Sequence, residues 1–243
     1  MIGKEELARI ARSAGLNLYQ QEKDYLLKLF LYSYYKHFSD AVFKGGTCLA
    51  YIMGLNRFSE DLDFNIKHPK KMREQVRRVL KEIGKLGIES YFIMEELFSD
   101  SYACEIGFSG PLFSGTSQTQ NKFRIDAGLR TGTLRKPEWK MIRSDYPETG
   151  ENFLVLAMDP QEMLAEKIIA LAGRRKGRDL YDVWFMLNSN VALDKKLLRR
   201  KGFSKISFPT KAEYERDILR LAKTAVPYEQ VKKEVVSIIK KLS

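Results

Sequence analysis

Apolar side chains recur along this chain in two rhythms. Between residues 21 and 38 they fall at Tyr25, Leu26, Phe30, Leu31, Tyr34 and Tyr35, close to the i, i+4 spacing of an amphipathic helix. The same spacing returns from Pro69 to Leu86, where Met72, Val76, Val79, Leu80 and Ile83 line one face of a strongly basic segment. Proline opens that segment, as suits a first helical turn. The second rhythm alternates. Residues 41–43, 60–66, 88–94, 102–108, 122–128 and 153–156 read as strands, while Thr47–Ile52 reads as a short helix with Thr47 near its start. The stretch from Gly110 to Asn121, rich in Gly, Ser, Thr and Gln, reads as a turn or loop. Beyond Leu156 the character becomes helical. Asp159-Pro160-Gln161-Glu162 offers an N-cap acid, a proline at the first position and a glutamate at the third, and a further helix follows over 178–188. Strands followed by helices predict an α+β protein of two lobes, residues 1–157 and 158–243.

The composition is that of an ordinary globular protein, with 44% hydrophobic and 30% charged residues in 243. The first residues carry acids and lack an apolar signal core. No apolar run approaches the roughly 20 residues of a membrane-spanning helix, so a cytoplasmic protein without membrane association is expected. Two cysteines, Cys48 and Cys104, lack metal-ligand or CxxC neighbours and are expected to be buried thiols. The net charge is +11, and residues 190–243 hold 14 Lys or Arg against 6 Asp or Glu, a net +8. Such a tail suits a polyanionic partner, or a solvated helical surface.

Candidate chemistry concentrates first at Phe43-Lys44-Gly45-Gly46-Thr47 and then, thirteen residues on, at Asp61-Leu62-Asp63-Phe64. On a strand, Asp61 and Asp63 share one face while Leu62 and Phe64 point into the core. Two carboxylates so close are held by a shared proton or a divalent cation. A glycine pair leading into a helix offers backbone N–H groups suited to a phosphate. The combination reads as phosphoryl or nucleotidyl chemistry. In Lys122-Phe123-Arg124-Ile125-Asp126, alternation sets Arg124 and Asp126 opposite the apolar pair, so Asp126 is a candidate third acid, or a strand-end turn residue.

Lys167 is the other anomaly. On the helix after Asp159 it falls inside the arc of Met163, Leu164, Ile168 and Leu171, whereas Glu162 and Glu166 lie off it. A lysine there must pair with an acid, snorkel outward or reach a ligand. Two antiparallel helices joined through the turn at 173–177 would bring it near Asp179 or Asp182; the spacing does not decide between them.

Taken together, Gly45-Gly46-Thr47, Arg57-Phe58-Ser59-Glu60-Asp61-Leu62-Asp63-Phe64, Glu162 with Glu166-Lys167, and Arg178-Asp179-Leu180-Tyr181-Asp182 resemble the motifs of the AbiEii/MenT family of nucleotidyltransferase toxins. The resemblance spans roughly residues 25–190. It implies a polymerase-beta-like nucleotidyltransferase lobe, a mixed sheet flanked by helices, followed by a helical C-terminal lobe. It further implies NMP transfer from an NTP to RNA, with the tRNA acceptor end as the expected target. The toxin of a type IV toxin–antitoxin or abortive-infection (phage-defence) system is the expected biology, with an antitoxin protein or transcriptional regulator as cognate partner. Asp61 and Asp63 would bind one or two Mg²⁺ ions, and Asp126 would complete the second site or take the proton of the attacking hydroxyl. Gly45, Gly46 and Thr47 would hold phosphate oxygens, with Arg57 and Ser59 assisting beside the acids. Lys167 would place its charge on the nucleotide phosphates, positioned by Asp182 or Asp179. A protein or small-molecule acceptor is the alternative enzyme reading, and a non-catalytic nucleic-acid-binding protein is the alternative from another class.

Overall fold

The computed structural model describes residues 1–129, 132–203, 207–222 and 224–240. Lys205, Lys223 and Lys241 of the basic tail therefore lie outside the described residues. Contacts divide the chain into two compact units: residues 1–52, 60–132 and 137–157 form the first, and 53–59, 133–136 and 158–243 the second.

The first unit contains a mixed seven-stranded sheet, an α+β arrangement. Its elements are α1 (Lys4–Ala14), α2 (Leu18–His37), β1 (Ala41–Lys44), α3 (Gly45–Met53), β2 (Leu62–Ile66), α4 (Pro69–Gly84), β3 (Glu89–Leu97), β4 (Ser101–Ser109), β5 (Asn121–Gly128), β6 (Glu138–Arg143) and β7 (Asn152–Ala157). The strands lie in the order β3-β4-β5-β2-β1-β7-β6. β2 runs parallel to β5 and β1 parallel to β7, and the remaining neighbours are antiparallel. α2 begins at Asn17, whose Oδ1 accepts the Gln20 N–H while the Gln20 side chain accepts the Asn17 N–H, a reciprocal cap. The helix buries Tyr25, Leu26, Phe30, Leu31 and Tyr34. Phe30 meets Phe123 of β5 edge-on at 5.9 Å, and Phe123 stacks on Phe108 of β4 at 4.9 Å. Truncating Phe30 to Ala would cost about 3–5 kcal/mol.

Two boundaries differ from the sequence expectation in ways that matter for the site. The helix expected from Thr47 already starts at Gly45, and β2 starts at Leu62, so Asp61 stands just before the strand. Neither α1 nor β6 was expected. β6 is an edge strand with Trp139 48% and Met141 57% exposed, so it lacks the buried-in, polar-out alternation that marks a half-covered strand.

The described part of the second unit is helical: α5 (Pro160–Arg174), α6 (Gly177–Asn188), α7 (Lys195–Arg200), α8 (Lys211–Leu221) and α9 (Tyr228–Lys240). Asp159 caps α5, its Oδ1 accepting the Gln161 and Glu162 N–H groups at 2.9 and 3.1 Å. Gly177 lies so close to α8 that a Cβ there would stand 2.5 Å from the Tyr214 Cα, which ties the start of α6 to glycine. The segment 53–59 joins this unit through a bridge between Arg57 and Ala222 and a 2.7 Å bond from the Phe58 N–H to the Leu221 carbonyl. Among the described residues, no helix is long and apolar enough to cross a membrane. Both cysteines are buried, and burial pushes the Cys104 thiol up to about 12, as befits a packing residue.

Candidate active site

Strand register builds the acidic face of the first unit. Asp63 of β2 is the parallel partner of Asp126 on β5 and the antiparallel partner of Lys44 on β1. Partners in register project to the same face, so these two acids and the lysine share a row across the sheet. Leu62 and Phe64 point the other way and are 0% and 1% exposed. Asp126 is the most open of the three acids, with its side chain 49% exposed.

Gly45 explains how Asp63 fits. Its φ of +82° is left-handed, and a Cβ on it would overlap the Asp63 carboxylate, so glycine serves both the turn out of β1 and the close approach of the acid. Asp61 is placed by two neighbours. The Thr47 hydroxyl donates to its carbonyl oxygen at 2.5 Å, and its own Oδ1 accepts the Arg124 N–H at 3.2 Å. Thr47 is only 1% exposed. Its hydroxyl thereby braces the residue that leads into β2.

The donors on this face are carboxylate oxygens, hard ligands that suit Mg²⁺. That ion keeps several waters and asks the protein for one or two carboxylates, a demand Asp63 and Asp126 meet as neighbours. Among the described residues, no three His, Cys, Asp or Glu side chains gather into a closed metal cluster. Arg124, 3.7 Å from Asp126, adds positive charge beside the pair.

The second unit holds the other candidate residues in a buried ion network. Asp182 is 0% exposed and accepts both fork nitrogens of Arg57, Nε at 2.6 Å and Nη2 at 2.7 Å. The Lys167 ammonium lies 2.7 Å from the same carboxylate and 3.8 Å from Asp179, so geometry favours Asp182 where the spacing left the partner open. Asp179 is held by the Arg174 fork at 2.7 and 2.9 Å. Burial alone would push the Asp182 carboxyl up; Lys167 and Arg57 outweigh it and hold the group below the usual carboxylate range.

Arg57, shortly before the acids in sequence, is 6% exposed, with its fork on Asp182: as part of 53–59 it packs with the second unit, where a buried carboxylate gives a planar bidentate partner. Ser59 falls in the same segment. Glu162, expected off the buried face of α5, is 0% exposed. It accepts the Leu134 and Arg135 N–H groups at 2.8 and 2.7 Å and meets Lys201 at 2.8 Å. Tyr181 is core, packed against Trp184 at 5.4 Å. Lys44, not singled out in the sequence, was signalled there by the alternation that buries Phe43.

The family model described as nucleotidyl transferase AbiEii toxin, type IV TA system, matches residues 29–242. Among solved structures, MenT4, a nucleotidyltransferase toxin from Mycobacterium tuberculosis H37Rv, is similar with a TM-score of 0.65 at 19% identity, over 97% of this chain and 87% of that one. JHP933 from Helicobacter pylori gives 0.61 at 17% identity, over 92% and 91%. A putative nucleotidyltransferase from H. pylori gives 0.58 at 16%, over 91% and 96%. At these identities the likeness is one of fold. No curated protein matches the chain significantly.

Proposed function

The chain belongs to the AbiEii nucleotidyltransferase toxin family of type IV toxin–antitoxin systems, and from that premise we propose that it transfers NMP from an NTP to RNA, with the tRNA acceptor end as target. The observation that carries the reading is the register pair Asp63–Asp126, with Gly45 leaving room for the Asp63 carboxylate. Asp63, Asp126 and Asp61 would hold Mg²⁺, which when bound neutralises charge on the triphosphate and orients it for in-line displacement.

The residues themselves divide the remaining work. Gly45 and Gly46, in the first turn of α3, offer backbone N–H groups to phosphate oxygens. Thr47 fixes Asp61 through its carbonyl. Asp126, the most exposed acid, either completes the second metal site or takes the hydroxyl proton as the acceptor oxygen bonds to the α-phosphorus and pyrophosphate leaves. Lys167 contributes a charge to the nucleotide phosphates, oriented by Asp182, with Asp179 behind it. The basic balance of residues 190–243 favours a polyanionic acceptor over a small molecule. A protein antitoxin is the cognate partner the family implies.

The test is label transfer. Purified protein is incubated with Mg²⁺, total tRNA and each labelled NTP in turn, and label is expected in the tRNA band with at least one NTP. Label in a protein band when tRNA is omitted would move the acceptor to protein. Absence of transfer with every NTP, or undiminished transfer by Asp63→Ala, would overturn the reading.

A further inference from the structure

Three consecutive ionisable residues, Glu22, Lys23 and Asp24, sit in the second turn of α2, and two of them are satisfied. Glu22 is 0% exposed and accepts the Leu112 N–H at 2.6 Å and the Asn121 amide at 3.0 Å. Asp24 accepts the Tyr146 hydroxyl at 2.7 Å and pairs with Lys28 at 3.1 Å. Lys23 is different. It is 5% exposed, and among the described residues its ammonium makes no hydrogen bond. Its nearest carboxylate oxygen is Glu60 Oε1 at 4.0 Å, on a side chain 48% exposed, and the Tyr19 ring lies 5.2 Å away.

The stem of Lys23 is enclosed while its charged tip reaches the surface, since its ammonium is not one of the fully buried polar atoms without a partner, and one loose carboxylate stands beside it. Burial draws the Lys23 ammonium below the ordinary lysine range, opposed by Glu60 and Asp61. Its location gives it a use, because Glu60 directly precedes Asp61, and Asp61 bonds the backbone of β5 at Arg124. Lys122, on the same face of β5 as Arg124 and Asp126, pairs with Glu105 at 3.0 Å. Lys23 is thus a nearly unexposed cation with open hydrogen-bonding capacity at the margin of the acidic face.

We propose that Lys23 is a phosphate-binding residue of the transfer site, its ammonium exchanging the loose contact with Glu60 for a phosphate oxygen of a substrate. This rests on the reading of Asp61, Asp63 and Asp126 as the transfer site. Phosphate is the anion common to both substrates of a nucleotidyl transfer onto RNA. An ammonium serves it as a compact point charge with three donors. The phosphate belongs either to the NTP or to the RNA backbone, and the two sources separate by which affinity falls.

Lys23→Met keeps the length of the stem and removes the charge; Lys23→Arg keeps the charge. Binding of an NTP with Mg²⁺ and of an RNA oligonucleotide is measured directly for both variants and the parent, beside KM for each substrate in the label-transfer assay. Lys23→Met should weaken one substrate by about 10–100-fold, the range of a lost charge-assisted hydrogen bond. Its melting temperature should equal or exceed the parent's, and Lys23→Arg should recover part of the affinity. A loss confined to NTP assigns the triphosphate. A loss confined to RNA, with a salt slope shallower by about one, assigns the backbone. Unchanged affinity for both overturns the proposal whether or not transfer is seen. Failure of the acid-site reading shows separately, as a parent enzyme without transfer or an Asp63→Ala variant with full transfer.

Discussion

Asp63 and Asp126 in the first unit and Asp179 and Asp182 in the second are two carboxylate pairs in opposite circumstances. The first stands on a sheet face, with Asp126 half exposed and two like charges side by side. The second is 0% exposed and enclosed by Arg57, Lys167 and Arg174. An acid saturated by fixed cations in the core has its energy committed to holding helices and a loop together, whereas an acid on an open face can take up a ligand. The same residue type is thus enclosed by fixed cations in one unit and left open to a ligand in the other, and the cations around it decide which.

The largest test of this contrast removes an enclosed acid. Asp182→Ala would leave Arg57 and Lys167 buried without their partner and should lower unfolding stability by about 3–5 kcal/mol, read from urea midpoints. On the open face the effect should fall on activity. Asp63→Ala should cut label transfer on the order of 10²–10³-fold while leaving the urea midpoint unchanged or raised, since one of two like charges is gone. A loss of stability there as large as for Asp182→Ala would erase the distinction.

A third test uses acid. Because the folded Asp182 carboxyl sits below its unfolded value, its stabilisation is complete above the unfolded pKa, about 4. It drains away as pH falls through the folded value. The stability gap between the parent and Asp182→Asn should therefore be constant from neutral pH down to about 4 and narrow below it. A gap that persists unchanged in strong acid would mean the carboxylate is not the source. The smallest effect is expected for Arg174→Ala, about 1 kcal/mol, because that side chain is 48% exposed and solvent screens its pairing with Asp179.

Much of the frame was legible because it depends on local rules. Periodicity located α2, α4 and most strands, and the Asp159-Pro160 start of α5 is a cap that works within four residues. Alternation sufficed to bury Leu62 and Phe64. What escaped depends on distance or on a broken pattern. Arg57 and Asp182 are 125 residues apart, and nothing adjacent to Arg57 in sequence points to that partner. Glu162 occupies a position that usually caps, and nothing local reveals that Lys201 draws it inward. β6 shows its apolar side chains to solvent, so its pattern does not announce a strand. Lys23 looks like one more charge on a helix until the burial of its neighbours is known.

The division of the chain at Ala157 and Met158 has an outcome for inheritance. The backbone passes between the two units five times, because 53–59 and 133–136 belong with the helices. A genetic exchange at that junction would bring a foreign loop to Asp182 in place of Arg57, and foreign N–H groups to Glu162 in place of those of Leu134 and Arg135. The helical half is therefore not a cassette to be traded by one crossover. Its sequence and two short stretches of the other half must change in step, which binds the lineage of the helices to that of the half that carries the acidic face.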